Sequence, residues 1–144
     1  MSRRDSILLV EDNDDDAELT LLAFQAARIG NPIVRARDGV EALELLFGTP
    51  TGATAELETP AVVLLDLKLP RVSGIEVLKA IRTDPRTQHL PVVILTSSAE
   101  DEDRLAAYTH RANSYVQKPV EFDRFVQAAR QLGLYWIVLN QPPP

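Results

Sequence analysis

Three short segments, far apart in the chain, carry the side chains best suited to chemistry: Glu11 with Asp12, Asp66, and Lys118 with Pro119. Each follows an apolar run, at residues 7–10, 61–65 and 115–116. Apolar runs of this length, alternating with helical patterns, read as parallel strands buried on both faces. In such sheets ligands bind just beyond the carboxyl ends of the strands. Charged groups at three strand ends should therefore meet in one pocket. Carboxylates gathered there need a cation, since one pair 4 Å apart repels by about 4 kcal/mol at intermediate dielectric. Magnesium, or manganese in its place, prefers oxygen donors and relieves that repulsion. Asp12 and Asp66 are the expected direct ligands, with Glu11 acting directly or through a water. A lysine beside them suits a phosphoryl group. A solvated helix lead-in is the plainer reading of Glu11-Asp12, and it leaves the other two strand ends unexplained.

The elements that must position these residues alternate regularly. A first strand is expected at about 6–10, followed by a helix that starts within the polar cluster 13–16. Leu19, Leu22, Ala23, Ala26 and Ile29 recur at helical spacing, and Gly30 is the expected stop. Asp14, Asp15 and Asp16 read as capping this helix and complementing its dipole, or as modulators of metal affinity. A second strand at about 33–36 turns at Asp38-Gly39 into a helix carrying Val40, Leu43, Leu46 and Phe47. A third strand ends at Leu65, and a helix over about 74–82 carries Ile75, Leu78 and Ile81 on one face. The fourth strand is expected at 91–95, an acidic helix start at 100–103, a short fifth strand around 114–116, and a last helix from near Glu121. Five strands and five helices in alternation make an α/β fold with a doubly wound, five-stranded parallel sheet. The segment from Gly48 to Pro60, rich in Thr, Gly and Pro, joins a helix end to a strand start. Topology puts it opposite the pocket, as a tolerated surface insertion.

Bulk composition excludes several function classes. A chain of 144 residues, 45% of them hydrophobic, is one domain with enough core to fold alone. A formal charge of -6 argues against a nucleic-acid surface. No stretch approaches a membrane span, and the polar start lacks a signal peptide's apolar region. The absence of cysteine removes disulfides and thiolate metal sites and fits a cytoplasmic protein. His89 and His110 stand apart from any second ligand at zinc spacing and read as surface residues.

Read in order, Leu9-Val10-Glu11-Asp12, Leu65-Asp66-Leu67-Lys68-Leu69-Pro70 with Gly74, Leu95-Thr96-Ser97, and Tyr115-Val116-Gln117-Lys118-Pro119 form one pattern. It resembles the receiver domain of two-component response regulators, a flavodoxin-like three-layer sandwich, over about residues 6–132. Ala112-Asn113-Ser114-Tyr115, the long loop after the second helix, and Tyr135-Trp136 are similar to stand-alone receivers paired with bacterial and cyanobacterial phytochromes. The resemblance implies that Asp66 takes a phosphoryl group from the phosphohistidine of a sensor kinase, here a bacteriophytochrome. It adds the backbone carbonyl of Lys68 as a further metal ligand. Lys118 would pair with phosphoryl oxygens, and Thr96 would donate its hydroxyl to another. In this family the bond before Pro119 is cis and aims the lysine, and an aromatic at Tyr115 turns inward when Thr96 moves. Lys68 and Ser98 would flank the path of the hydrolytic water.

A stand-alone response regulator is therefore expected, because only about a dozen residues follow Leu132, too few for a DNA-binding module. Output would run through protein contact or onward phosphotransfer. A scaffold of receiver shape that works without phosphorylation is the alternative, and a small aspartyl-phosphate phosphatase would want an acid where Lys68 stands. The tail from 133 to 144 has its own signature: Leu134, Tyr135, Trp136, Ile137, Val138 and Leu139 are apolar in succession. Six in a row surround a helix or line both faces of a strand, so a single domain surface does not bury them all. They are expected to build a two-fold homodimer contact.

Overall fold

The computed structural model describes residues 6–48, 60–96, 106, 109–117 and 122–132. In chain order the elements are β1 (Ile7–Val10), α1 (Asp14–Ala26), β2 (Ile33–Ala36), α2 (Gly39–Phe47), β3 (Val62–Leu65), α3 (Gly74–Thr83), β4 (Val92–Thr96), β5 (Ser114–Gln117) and α4 (Phe122–Leu132). The helix expected after the acidic stretch 100–103 falls on residues of which only Ala106 and Thr109 are described as helical.

All five strands join one sheet in the order β2-β1-β3-β4-β5, and every pairing is parallel. The reversal of winding lies between β1 and β3, as in the flavodoxin-like doubly wound arrangement. Side chains of a strand point alternately to opposite faces, so a run with no polar residue must be covered on both sides. One layer buries Leu8, Val10, Val63, Leu65, Val92 and Ile94 beneath Leu46 of α2 and Val77, Leu78 and Ile81 of α3. The other buries Ile7, Leu9, Val62, Leu64, Val93 and Leu95 beneath Ala23 and Phe24 of α1 and Ala129 of α4.

Two expectations for α1 are corrected. Its end is set by Arg28, which takes the left-handed conformation at φ 60°, while Ile29 N–H donates to Phe24 O at 3.0 Å. That closure satisfies the last carbonyls two residues before Gly30. Its buried stripe is Ala17, Thr20, Ala23 and Phe24, and Leu22 is 48% exposed. Thr20 belongs inside because its hydroxyl donates to Asp16 O at 2.9 Å, leaving no unpaired buried donor. In α2, Leu43, Leu46 and Phe47 pack into the core as expected, and so do Ile75, Leu78 and Ile81 in α3, the last two fully buried. His89 is exposed and His110 half-buried. Gly48, at φ 86°, ends α2, and residues 49–59 of the expected surface insertion lie outside the described residues.

Candidate metal and phosphoryl site

Strand register alone puts the acids side by side. Val10 pairs with Leu65, so the next residues, Glu11 and Asp66, leave adjacent strands together at the switch point. Glu11 N–H donates to Ala36 O at 3.0 Å, and Asp66 N–H donates to Val10 O at 3.1 Å, carrying the sheet bonding one residue past the strand ends. Carboxylate oxygens of Glu11, Asp12 and Asp66 all lie within 4.8 Å of one another. Glu11 is 3% exposed and Asp66 6%, whereas Asp12 opens to solvent.

Three carboxylates so close, two of them buried, are costly without a counter-charge. The donor set is all oxygen and includes an open side. That fits a hard divalent cation which keeps several waters, and it does not fit a soft metal.

The loop after β3 is built to present Asp66. Lys68 N–H donates to Asp66 Oδ1 at 3.0 Å and sets the carboxylate's rotation. Gly74 N–H donates to Leu67 O at 2.9 Å as α3 begins. A Cβ at Gly74 would lie 2.2 Å from Asp66 O, so only glycine lets the helix start this close to the acid. The loop's far end is held by Arg71, whose Nε and Nη2 donate to Asp38 Oδ2 at 3.1 and 2.7 Å. Asp38 also caps α2 by accepting Glu41 N–H at 2.8 Å, and that bond, ahead of Arg71, holds its carboxyl below the usual range.

The turn after β1 departs from expectation. The cap of α1 is Asn13, whose Oδ1 accepts Asp16 N–H at 2.9 Å; Asp14, Asp15 and Asp16 form the first turn and complement its dipole. An amide side chain does this capping as well as a carboxylate and adds no charge next to the acids. Asn13 N–H also donates to Glu11 Oε2 at 3.4 Å. Asp14 faces Arg35, with Oδ1 2.8 Å from Nη1, and that hydrogen bond lowers its pKa.

The backbone puts Thr96 at the carboxyl end of β4, paired with Gln117, and Tyr115 within β5, paired with Ile94. Lys118, Pro119 and Ser98, and the tail residues 133–144 with Leu134 to Leu139, lie outside the described residues. Around the site stand contacts that motif reading did not give: the Asn13 cap, the Arg35 bonds to Glu11 O, and the Asp38–Arg71 pair. A signal for Arg35 was present, as a lone charge in the run Ile33-Val34-Arg35-Ala36.

Comparison with known proteins agrees with this geometry. Residues 7–130 match a family model described as the response regulator receiver domain. The chain is 39% identical over 137 residues to the probable methanogenesis regulatory protein FilR2 of Methanothrix harundinacea, covering 95% of this chain and 86% of that protein. The solved Mn2+-bound form of the response regulator Rcp1, a Synechocystis protein, superposes with a TM-score of 0.82 at 29% identity, over 97% of this chain and 99% of that one. The bacteriophytochrome response regulator RtBRR superposes with a TM-score of 0.75 at 45% identity, over 100% of this chain and 86% of that one.

Proposed function

Because the chain belongs to the response regulator receiver family, we propose that it accepts a phosphoryl group on Asp66 from a phosphohistidine of a sensor kinase, in a reaction that needs a divalent cation. The observation that carries the proposal is the convergence of Glu11, Asp12 and Asp66 at the switch point. An Asp66 carboxylate oxygen attacks phosphorus, the phosphorus–nitrogen bond breaks, and an acyl phosphate forms as the imidazole leaves and takes up a proton. Glu11, Asp12, Asp66 and the Lys68 carbonyl would hold the cation. Bound magnesium, or manganese, offsets the repulsion between nucleophile and phosphate. Lys68 N–H keeps one Asp66 oxygen turned toward its own loop, which restricts the acid to few orientations.

Lys118 pairs with the phosphoryl oxygens in this reading, and Thr96 supplies a hydroxyl to them. Tyr115 follows Thr96 as the charge on Asp66 shifts the balance between two rotamers. The likeness to RtBRR supports a bacteriophytochrome as the kinase, in the cytoplasm. No helix among the described residues is long and apolar enough to cross a membrane. Output runs through protein contact or onward phosphotransfer, and the tail supplies a homodimer contact. A scaffold that works without phosphorylation would have no need of three converging acids, and no observation favours it.

Acetyl phosphate with magnesium should modify Asp66 and no other residue, as read by intact mass and borohydride mapping. Asp66→Asn should abolish the label, while Asp12→Asn should mainly weaken metal binding. A label on Asp12, or none on wild type, sinks the assignment. Phosphotransfer from a purified bacteriophytochrome, set against other histidine kinases, tests the choice of partner.

A further inference from the structure

Asp12 contributes to the acid cluster from an exposed position in a three-residue link, between the end of β1 at Val10 and the start of α1 at Asp14. Such a side chain is only as well placed as the backbone beneath it. Arg35, on the neighbouring strand β2, grips both ends of that link. Its Nε and Nη2 each donate to Glu11 O at 3.0 Å, and its Nη1 lies 2.8 Å from Asp14 Oδ1. All three nitrogens are engaged by one planar group, which a lysine does not reproduce. The side chain is 21% exposed and anchored by a strand in register, with Leu9 paired to Arg35. Arg37 also approaches Asp14, but at 3.8 Å and largely in solvent.

We infer that Arg35 is a positioning residue: its fork on the Glu11 carbonyl and its bond to Asp14 clamp the link that carries Asp12, and so set the affinity of the acid cluster for its divalent ion. The inference rests on the metal-site reading above and deepens it. Charge and clamp have opposite signs here. A guanidinium beside a cation site repels the ion, so if its charge were all that mattered, removing it would tighten metal binding. If the clamp matters, removing it lets Asp12 wander and weakens binding, as loss of a group supporting a metal ligand does.

The test is calorimetric titration of the full chain with Mn2+, for wild type, Arg35→Ala and Arg35→Lys. Both variants should bind about tenfold more weakly, the lysine variant because it keeps the charge and loses the fork. The metal concentration giving half-maximal phosphorylation by acetyl phosphate should rise by a similar factor. A merely structural role would instead lower the fraction of active protein and leave that concentration in place. Equal or tighter binding by Arg35→Ala, or wild-type affinity in Arg35→Lys, overturns the clamp. Should the alanine variant not fold, the lysine variant decides alone. Wild type that binds no Mn2+ would overturn the metal site itself, and the clamp with it.

Discussion

Gly74 shows how far a single residue can be constrained by a neighbour's backbone. The helix α3 must begin close behind Asp66 for the loop to fold back, and a methyl group there would sit 2.2 Å from Asp66 O and 2.5 Å from Leu67 Cα. Neither atom belongs to a flexible side chain, so the backbone itself would have to move. Gly74→Ala should therefore cost about 1–3 kcal/mol of stability and shift Asp66. Denaturant unfolding and the acetyl phosphate rate read the two effects separately; a variant with wild-type values in both would show that the loop absorbs the methyl freely. At this scale the acids were legible in the sequence because each stands at the end of an apolar strand, where chain direction leaves no choice of location. Arg35 was not legible in its role. A strand pattern gives the face of a side chain but not the carbonyl it reaches on the next strand.

Helix ends and connections obey finer rules than the apolar pattern that reveals the elements. The strands and the inward faces of α2 and α3 could be read because their polar and apolar residues separate cleanly. The face of α1 could be read only in part: Ala23 is buried and Leu19 and Ile29 pack against the core, but a satisfied threonine, Thr20, lies inside and a leucine, Leu22, lies outside. From the last turn of α3, Arg82 ties two strand beginnings together: Nη1 donates to Leu90 O at 2.6 Å and Nη2 to Arg111 O at 2.8 Å and Asn113 Oδ1 at 3.0 Å. Asn113 in turn pins β5 to β4 by accepting Val92 N–H at 2.8 Å. The connection between α3 and β4 opens with Asp84, which accepts from Arg86 N–H at 2.8 Å and from its guanidinium at 3.0 and 2.7 Å. Those bonds, the guanidinium's first, lower the Asp84 pKa from 3.8 to about 2. A carboxyl depressed in the fold stabilises fully above its unfolded value, and that contribution fades as pH falls from 3.8 toward about 2. Asp84→Asn should flatten the acid side of the stability curve in that window. Denaturant midpoints of variant and wild type that fall in parallel over it would rule the pair out as a contributor.

At the scale of the molecule, the described residues form a sheet covered on both faces by helices, with few large apolar side chains exposed. Leu21, Leu22 and, at 42% exposure, Phe122 are the large apolar side chains exposed there. Ala129 of α4 is fully buried against the sheet layer that α1 also covers. Leu134, Tyr135, Trp136, Ile137, Val138 and Leu139 follow directly behind that helix in sequence. Left exposed, six consecutive apolar residues would form a patch of the kind that marks an interaction site. A second copy is the occupant proposed here, because a two-fold contact covers both tails at once, with Trp136 and Tyr135 as anchors. The opposing arrangement is a tail folded back over its own domain, and the two differ in mass rather than in secondary structure. Deletion from Leu134 onward, and separately Trp136→Ala, should turn a dimer into a monomer by sedimentation or light scattering, with the sheet's circular dichroism retained. Wild type that sediments as a monomer at roughly tens of micromolar, a concentration at which an interface of standard size is normally formed, ends the dimer proposal and assigns the tail to its own domain.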